Sequence, residues 1–387
     1  MKNITDSVYY VGVNDHVIDL FEGMYIVPNG MAYNSYVVMD KEVSVFDSVD
    51  AAFSEEWLAN IEQVLGDRQP DYLVVQHMEP DHSACIEKFV KKYGNVKIVA
   101  NAKTFAMLNQ FFETDFTPYK KVVTDGESLC TGEHSFTFVF APMVHWPEVM
   151  VTYDSKDKLL FSADAFGKFG ALDAEEEWAC EARRYYFGIV GKYGAQVQTL
   201  LKKAKELDIR KILPLHGPVL TENLGYYLGL YDTWSSYNAE SEGTLIAYAS
   251  VYGNTKKAAE ILAGQLEKKG CKKVVLTDLS RSDWAENVED AFRYDTLVLA
   301  SATYNGGLFP AMREFLDRLV ERGICKKTIG FIENGTWAPV AARLMKERLA
   351  QSKEITFAET TVTLKSAVKD ETVDAICKLA DELCAGR

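Results

Sequence analysis

Two different patterns of hydrophobic and polar positions meet near residue 240. Before it, short β-rich runs such as "NSYVVMD", "EVSVFDSV" and "SFTFVFAPMVHW" are separated by turns, with helical stretches like "AAFSEEWLANIEQVLGD" between some of them. After it the alternation is regular. "TLIAYAS", "KKVVLTDL", "DTLVLASATY", "KKTIGFIENG" and "ITFAETTVTL" read as five apolar strands, each beside a helical segment, the pattern of a doubly wound parallel sheet. We therefore expect two domains, residues 1–242 and 243–387, with the polar, aromatic "YDTWSSYNAESEG" of residues 231–243 as a linker. A chain of 387 residues is longer than one core usually grows.

Charge and composition narrow the classes of function. Lys and Arg number 42 against 56 Asp and Glu, a formal charge of -14, which argues against binding nucleic acid or an anionic membrane through the surface at large. The amino terminus has no apolar stretch of signal-peptide length, and no segment approaches the roughly 20 apolar residues that span a bilayer. A cytoplasmic protein is expected. Its seven cysteines (85, 130, 180, 271, 325, 377, 384) are scattered and never form a C-x-x-C pair, so no disulfide framework, iron–sulfur site or rubredoxin-type site is encoded. Reduced and mostly buried thiols are expected.

Chemistry concentrates first in "VVQHMEPDHSAC", residues 74–85. His77, Glu79, Asp81 and His82 follow an apolar run, and imidazole with carboxylate is the ligand set of borderline and hard metals. His77 and Glu79, two apart in an extended segment, point the same way, while Asp81 and His82 lie beyond Pro80 and can turn toward a second point. His145, Asp164 and His216 stand at comparable strand ends downstream. Each alone reads as a turn residue; together they read as a dinuclear metal site. His16 and His134 fit no motif position and read as surface or turn histidines.

A second concentration follows "TLIAYA". Ser250, Val251, Tyr252, Gly253, Asn254 and Thr255 lie between a strand and an amphipathic helix, where hydroxyls and backbone N–H groups at a helix amino terminus make an anion site. The pattern is neither G-x-x-x-x-G-K-[ST] nor G-x-G-x-x-G.

The order H-x-[HE]-x-D-H, then H, D and H, resembles the metallo-β-lactamase superfamily over residues 1 to about 240. Its zinc hydrolases typically carry His where this chain has Glu79, and the added carboxylate favours iron over a zinc pair. That resemblance implies one iron on His77, Glu79 and His145, a second on Asp81, His82 and His216, and Asp164 as the bridge. The [ST]-x-x-G-N-T run is similar to the phosphate loop of flavodoxins. Two later loops stand where flavodoxins hold the isoalloxazine: Ala302, Thr303, Tyr304, Asn305, Gly306 and Gly307, then Asn334, Gly335, Thr336 and Trp337. In them Tyr304 to Gly307 would offer backbone contacts and Trp337 a flat apolar surface.

Taken together the chain resembles the flavodiiron proteins, or A-type flavoproteins. The resemblance implies an N-terminal metallo-β-lactamase-like αββα sandwich, a C-terminal flavodoxin-like doubly wound sheet, FMN and two iron ions. It also implies reduction of dioxygen to water, of nitric oxide to nitrous oxide, or both, since reduced flavin and a di-ferrous pair together hold the four electrons that dioxygen needs. A separate electron donor is expected, rubredoxin or a reduced deazaflavin, and a head-to-tail homodimer or a dimer of dimers. Tyr193, in "EARRYYFGIVGKYG", is the candidate proton source beside the irons. The competing readings are a dinuclear zinc hydrolase with a fused flavodoxin-like domain, disfavoured by Glu79, and an electron carrier with a docking domain, disfavoured by the complete ligand set.

Overall fold

Apolar runs of the first half pair into two sheets whose inner faces meet. In a computed structural model, which describes residues 2–385, one sheet has seven strands in the order Lys2–Asn3, Val8–Tyr10, Tyr36–Val38, Ser44–Phe46, Tyr72–Val74, Lys97–Ala100 and Lys120–Val122. The other has five: Ser128–Cys130, Ser135–Phe140, Met150–Asp154, Leu159–Phe161 and Lys211–Leu213. Alternation along each strand sets the faces. Val38, Phe46, Val74 and Val99 of the first sheet share one core with Phe136, Phe138, Phe161 and Leu213 of the second. Phe46 stacks on Phe161 with ring centroids 3.9 Å apart. Their neighbours Val37, Val45, Leu73, Leu160 and Ile212 are buried outside that core, on the helix-covered faces. This is an αββα sandwich.

In the second half the strand order is Val274–Asp278, Ser241–Ala249, Tyr294–Tyr304, Lys327–Asn334 and Ile355–Leu364, all paired in parallel. Numbered along this half of the chain, that order is 2-1-3-4-5, a doubly wound flavodoxin-like sheet with its crevice at the carboxyl ends of the first and third strands. Ile246, Val298 and Ile332 pack under Leu262 and Leu266 of the helix Asn254–Lys268 and Leu379 and Leu383 of the helix Asp370–Cys384.

Compact units follow the two folds with one exchange. The first unit runs to Tyr185 and takes Ala195–Asp232; the second takes Tyr186–Gly194 and everything from Thr233 on. The stretch 231–243, expected as a linker, is instead the end of the helix Leu224–Ser235, a turn, and the start of the strand Ser241–Ala249. Its aromatic residues explain the difference: Tyr231 and Trp234 are both buried, Tyr231 against Phe166 and Trp234 against Tyr186.

Two further expectations are corrected. Only Cys85 of the seven cysteines is buried; Cys130 is exposed and the rest are half-buried. His134 is fully buried, not a surface histidine: its Nε2 is 2.8 Å from Ser7 Oγ and its Nδ1 2.9 Å from Asp154 Oδ2, so two polar partners stabilise its burial. His16 is exposed, beside Asp173. Among the described residues, no helix is long and apolar enough to cross a membrane.

Candidate metal centre and flavin pocket

His77 and Glu79 lie in the loop after Tyr72–Val74, and Pro80 opens a one-turn helix, Pro80–Ser83, that carries Asp81 and His82. His145 follows Ser135–Phe140, Asp164 follows Leu159–Phe161, and His216 follows Lys211–Leu213. Strand ends from both sheets thus converge. Gly167 allows the last approach, because a Cβ there would stand 2.9 Å from the Asp164 carbonyl and 3.3 Å from His216 Cβ.

The seven side chains form two groups. In one, His145 Nε2 is 3.0 Å from Glu79 Oε2 and 3.1 Å from Asp164 Oδ2, and His77 Nε2 is 3.3 Å and 3.4 Å from the same two atoms. In the other, His82 Nε2 and His216 Nε2 face each other at 3.1 Å, each 3.3 Å from Asp81 Oδ2. Asp164 belongs to both: its Oδ2 faces the first group while its Oδ1 is 3.2 Å from His82 Nε2. All but Glu79 are buried.

Partners behind the rings fix which nitrogen points inward. His77 Nδ1 is 2.8 Å from Glu148 Oε1, which also accepts the Met78 N–H, and His216 Nδ1 is 2.7 Å from the Ala32 carbonyl. A carboxylate or carbonyl on Nδ1 leaves Nε2 as the ligand atom. Asp47 holds the loop itself, accepting the backbone N–H groups of Gln76 and His77; burial pushes its carboxyl up to about 6.

Electrostatics bear on what fits between these groups. Burial works against the charge of His77, yet Asp164 and its other acidic neighbours hold it well above the ordinary imidazole value; His145 is likewise raised to about 9. Asp164 is held well below the usual carboxylate range, burial being outweighed by His77 and His82. The carboxylates seek cations. Both Asp81 oxygens and Asp164 Oδ1 are buried without a hydrogen-bond partner, and the facing Nε2 atoms of His82 and His216, 3.1 Å apart, offer two imidazole donors beside them. Two metal ions satisfy this donor set.

Sequence reasoning missed several neighbours. Glu148 stands three residues beyond His145 in the same loop, a weak signal in an acidic chain. Glu22, at the exposed tip of the hairpin Leu20–Phe21/Tyr25–Ile26, turns its carboxyl in against Glu79; desolvation first, then the Glu79 charge, raises it to about 8. Tyr193 is the last residue of the turn Gly191–Tyr193. From the same aromatic segment, the fully buried Tyr185 stands beside His216, ring centroids 5.5 Å apart.

The second site is a cavity of about 700 Å³ at the carboxyl ends of the first, third and fourth strands of the parallel sheet. It is lined by Ser250, Val251, Tyr252, Asn254 and Thr255, by residues 302–306, by residues 334–337, and by Ala338 and Ser366, which sequence reasoning did not include. Gly253 and Gly307 are not in the lining. Gly253 caps the helix Asn254–Lys268 with φ +90°, a conformation that only glycine adopts cheaply. Its N–H is 3.1 Å from Ser250 Oγ. Ser366 enters through Asn334, whose side chain bonds the Ser366 carbonyl and N–H at 3.0 and 3.1 Å. No charged side chain lines the cavity among the described residues, so an anion there meets hydroxyls and backbone N–H groups. Tyr252 and Trp337, 93% and 81% exposed, stand at its rim.

Comparison with known proteins agrees with both halves. Residues 31–217 match the ODP family beta lactamase model and residues 245–366 the flavodoxin domain model. The chain is 31% identical over 358 residues to an uncharacterized protein of Methanocaldococcus jannaschii, covering 89% of this chain and 88% of that one. It is 28% identical over 394 residues to the nitric oxide reductase of Moorella thermoacetica, covering 99% and 98%. The rubredoxin oxygen:oxidoreductase of Desulfovibrio gigas superposes with a TM-score of 0.92 at 25% identity, over 100% of this chain and 98% of that one. Fold and sites define a two-domain protein, metallo-β-lactamase-like ahead of flavodoxin-like. The chain belongs to the flavodiiron family, the A-type flavoproteins. It is an oxidoreductase whose cofactors are FMN and a di-iron centre.

Proposed function

We propose that the protein is a terminal reductase of small diatomic oxidants, taking dioxygen to water, nitric oxide to nitrous oxide, or both. The single observation that carries this reading is the split of Asp164, one carboxylate oxygen toward each group of imidazoles. On it we assign His77, Glu79 and His145 to one iron, Asp81, His82 and His216 to the other, and Asp164 to the bridge. The FMN assignment is Ser250–Thr255, residues 302–307 and residues 334–337, with Ala338 and Ser366 added. When bound, the iron pair supplies a redox centre that takes up the gas, and FMN supplies a relay between one- and two-electron donors. The chain's own residues orient and shield: Glu148 and the Ala32 carbonyl hold Nε2 inward, and burial keeps bulk water from the carboxylates.

Anaerobic stopped-flow of the reduced protein with each gas tests the substrate. Rapid oxidation by one gas and slow oxidation by the other selects it; slow oxidation by both rejects the reading. Zinc in protein made under iron-replete conditions, with lactam or thioester hydrolysis, would favour a hydrolase instead.

Electrons come from a separate donor, rubredoxin in the first place and a reduced deazaflavin in the second. We further propose that two chains associate head to tail, so that the flavin of one serves the iron centre of its partner. Mixing an Asp164→Ala/His216→Ala chain with a Gly253→Glu chain should then restore about a quarter of normal activity, because mixed dimers form about half of the population and hold one intact pair each. Mixtures that stay inactive while dimeric reject the arrangement.

A further inference from the structure

The helix Asn254–Lys268, whose amino terminus opens on the flavin pocket, ends in a tight cap at its other end. Gly270 adopts φ +87°, the Gly270 N–H reaches the Glu267 carbonyl and the Cys271 N–H the Leu266 carbonyl, the two bonds of a Schellman motif. The cap fixes Cys271. Leu266 and Leu262 pack with Leu379 and Leu383 of the helix Asp370–Cys384, and that packing brings the last residue of the second helix, Cys384, against the cap. Cys271 Sγ and Cys384 Sγ are 2.8 Å apart, although 113 residues separate them in the chain, and both residues are half-buried.

We propose that Cys271 and Cys384 are an oxidative modification site, closing reversibly into a disulfide by exchange with a small-molecule disulfide such as glutathione disulfide. A disulfide bond is about 2.05 Å long, so closure asks for less than about 1 Å of approach between the sulfurs. The Lys269 ammonium, ion-paired with Asp381, lies within electrostatic reach of Cys384 and Cys377, and positive charge beside a sulfur assists its attack as the thiolate. In the first step the Cys384 thiolate, its proton given to solvent, attacks one sulfur of glutathione disulfide and expels one glutathione thiolate. In the second the Cys271 thiolate attacks Cys384 Sγ in the mixed disulfide and expels the other. Two cysteine thiols are oxidised and one glutathione disulfide is reduced to two glutathiones. Such a bond ties the cap of the phosphate-loop helix to the C-terminal helix, so it stiffens the flavin-binding domain under oxidising conditions, whereas a reducing environment keeps the pair open.

The test uses the full-length holoprotein, reduced with dithiothreitol under anaerobic conditions, desalted, and incubated with excess glutathione disulfide. Two of the seven thiols should become unreactive to alkylation. The peptides carrying Cys271 and Cys384 should run as one species lighter by two hydrogens, and dithiothreitol should separate them. Unfolding of the flavin domain should shift upward by about 5 °C. Cys271→Ser should instead keep one glutathione on Cys384, and Cys377→Ser should leave the crosslink intact. Both thiols still alkylated, a persistent glutathione adduct on the unmodified sequence, or a crosslink through Cys377 would each overturn the proposal. Because peptide mapping of the unsubstituted protein decides among these, failure of a serine variant to fold does not affect the answer.

Discussion

The two sites of this molecule are built from opposite materials. The candidate metal centre is made of four imidazoles and three carboxylates, six of the seven buried, delivered by strand ends of two different sheets and held from behind by Glu148 and a backbone carbonyl. The flavin pocket is made of hydroxyls, amides and backbone around an open crevice, with no charged lining among the described residues and with aromatic rings at an exposed rim. Burying like-charged carboxylates is costly unless cations balance them, so the first site tolerates few changes at any of its positions. The second depends on backbone shape, so most of its side chains are individually replaceable. Its intolerant positions are those with a special backbone conformation.

The largest effects should separate the two sites cleanly. Asp164→Ala with His216→Ala should lower turnover by at least about 100-fold and strip most of the iron while FMN content stays normal. Gly253→Glu should do the reverse. Space around Gly253 is open, so the damage comes from forcing φ +90° on a residue with a Cβ and from a carboxylate set against a phosphate. Iron and flavin analyses on both proteins check this. Parallel loss of both cofactors in either variant would erase the distinction.

Next comes Glu148→Gln, which keeps the size of the side chain but removes the charge behind His77. Metal affinity or turnover should fall about 10- to 100-fold, with FMN binding unchanged. Chelator competition at fixed pH measures it, and an unaltered affinity would show that the loop alone orients the ring.

Proton linkage gives a third contrast. Without metal, His145 is raised to about 9 from its ordinary 6.5 by Asp164 and Glu79, against the effect of burial. A raised histidine stabilises the folded metal-free chain fully below 6.5, and that contribution is lost as pH rises through 9. Metal binding must displace the proton, so its pH dependence has the opposite sign: affinity should increase about tenfold per pH unit for each proton displaced, up to about pH 9. FMN affinity should be flat across pH 7–9, because no carboxylate, imidazole, thiol or ammonium lines its pocket. Calorimetric titration with a divalent ion and with FMN, at several pH values, compares the two slopes.

This contrast also explains what was legible in the sequence. Imidazole and carboxylate at strand ends announce themselves by type and spacing, so His77, Glu79, Asp81, His82, His145, Asp164 and His216 could be named as candidates from the sequence, and the fold brings their side chains together. Glu148 was not, because a carboxylate acting on the far side of a ring needs no spacing rule and the chain holds 56 acids. Glu22 was hidden for the same reason, since only the hairpin's fold brings it to Glu79. In the flavin domain the five strands were visible as apolar runs, and their loops followed from the topology. Ser366 was invisible because it lines the cavity through its hydrogen bonds to Asn334. Aromatic residues misled at 231–243, where Tyr231 and Trp234 fill cores that no local pattern shows. His134 misled similarly, its partners Ser7 and Asp154 being supplied by remote strands.

The smallest expected effect is the most discriminating for the flavin pocket. Trp337 lies on the cavity rim with 81% of its surface exposed, so truncating it removes almost no packing from the protein alone. Any loss must then appear only when the flavin is bound. An aromatic contact is worth about 0.5–1.5 kcal/mol beyond area burial, so Trp337→Ala should weaken FMN by roughly 2- to 13-fold. Trp337→Phe should recover most of it, since a ring face remains. Fluorescence titration of flavin-free protein gives both dissociation constants, and thermal unfolding of the flavin-free forms should be unchanged. A loss beyond about 100-fold would mean that one side chain dominates the pocket, as at the metal centre. No loss at all would mean that the ring of Trp337 does not meet the isoalloxazine, and that hydroxyls and backbone N–H groups hold the cofactor without it.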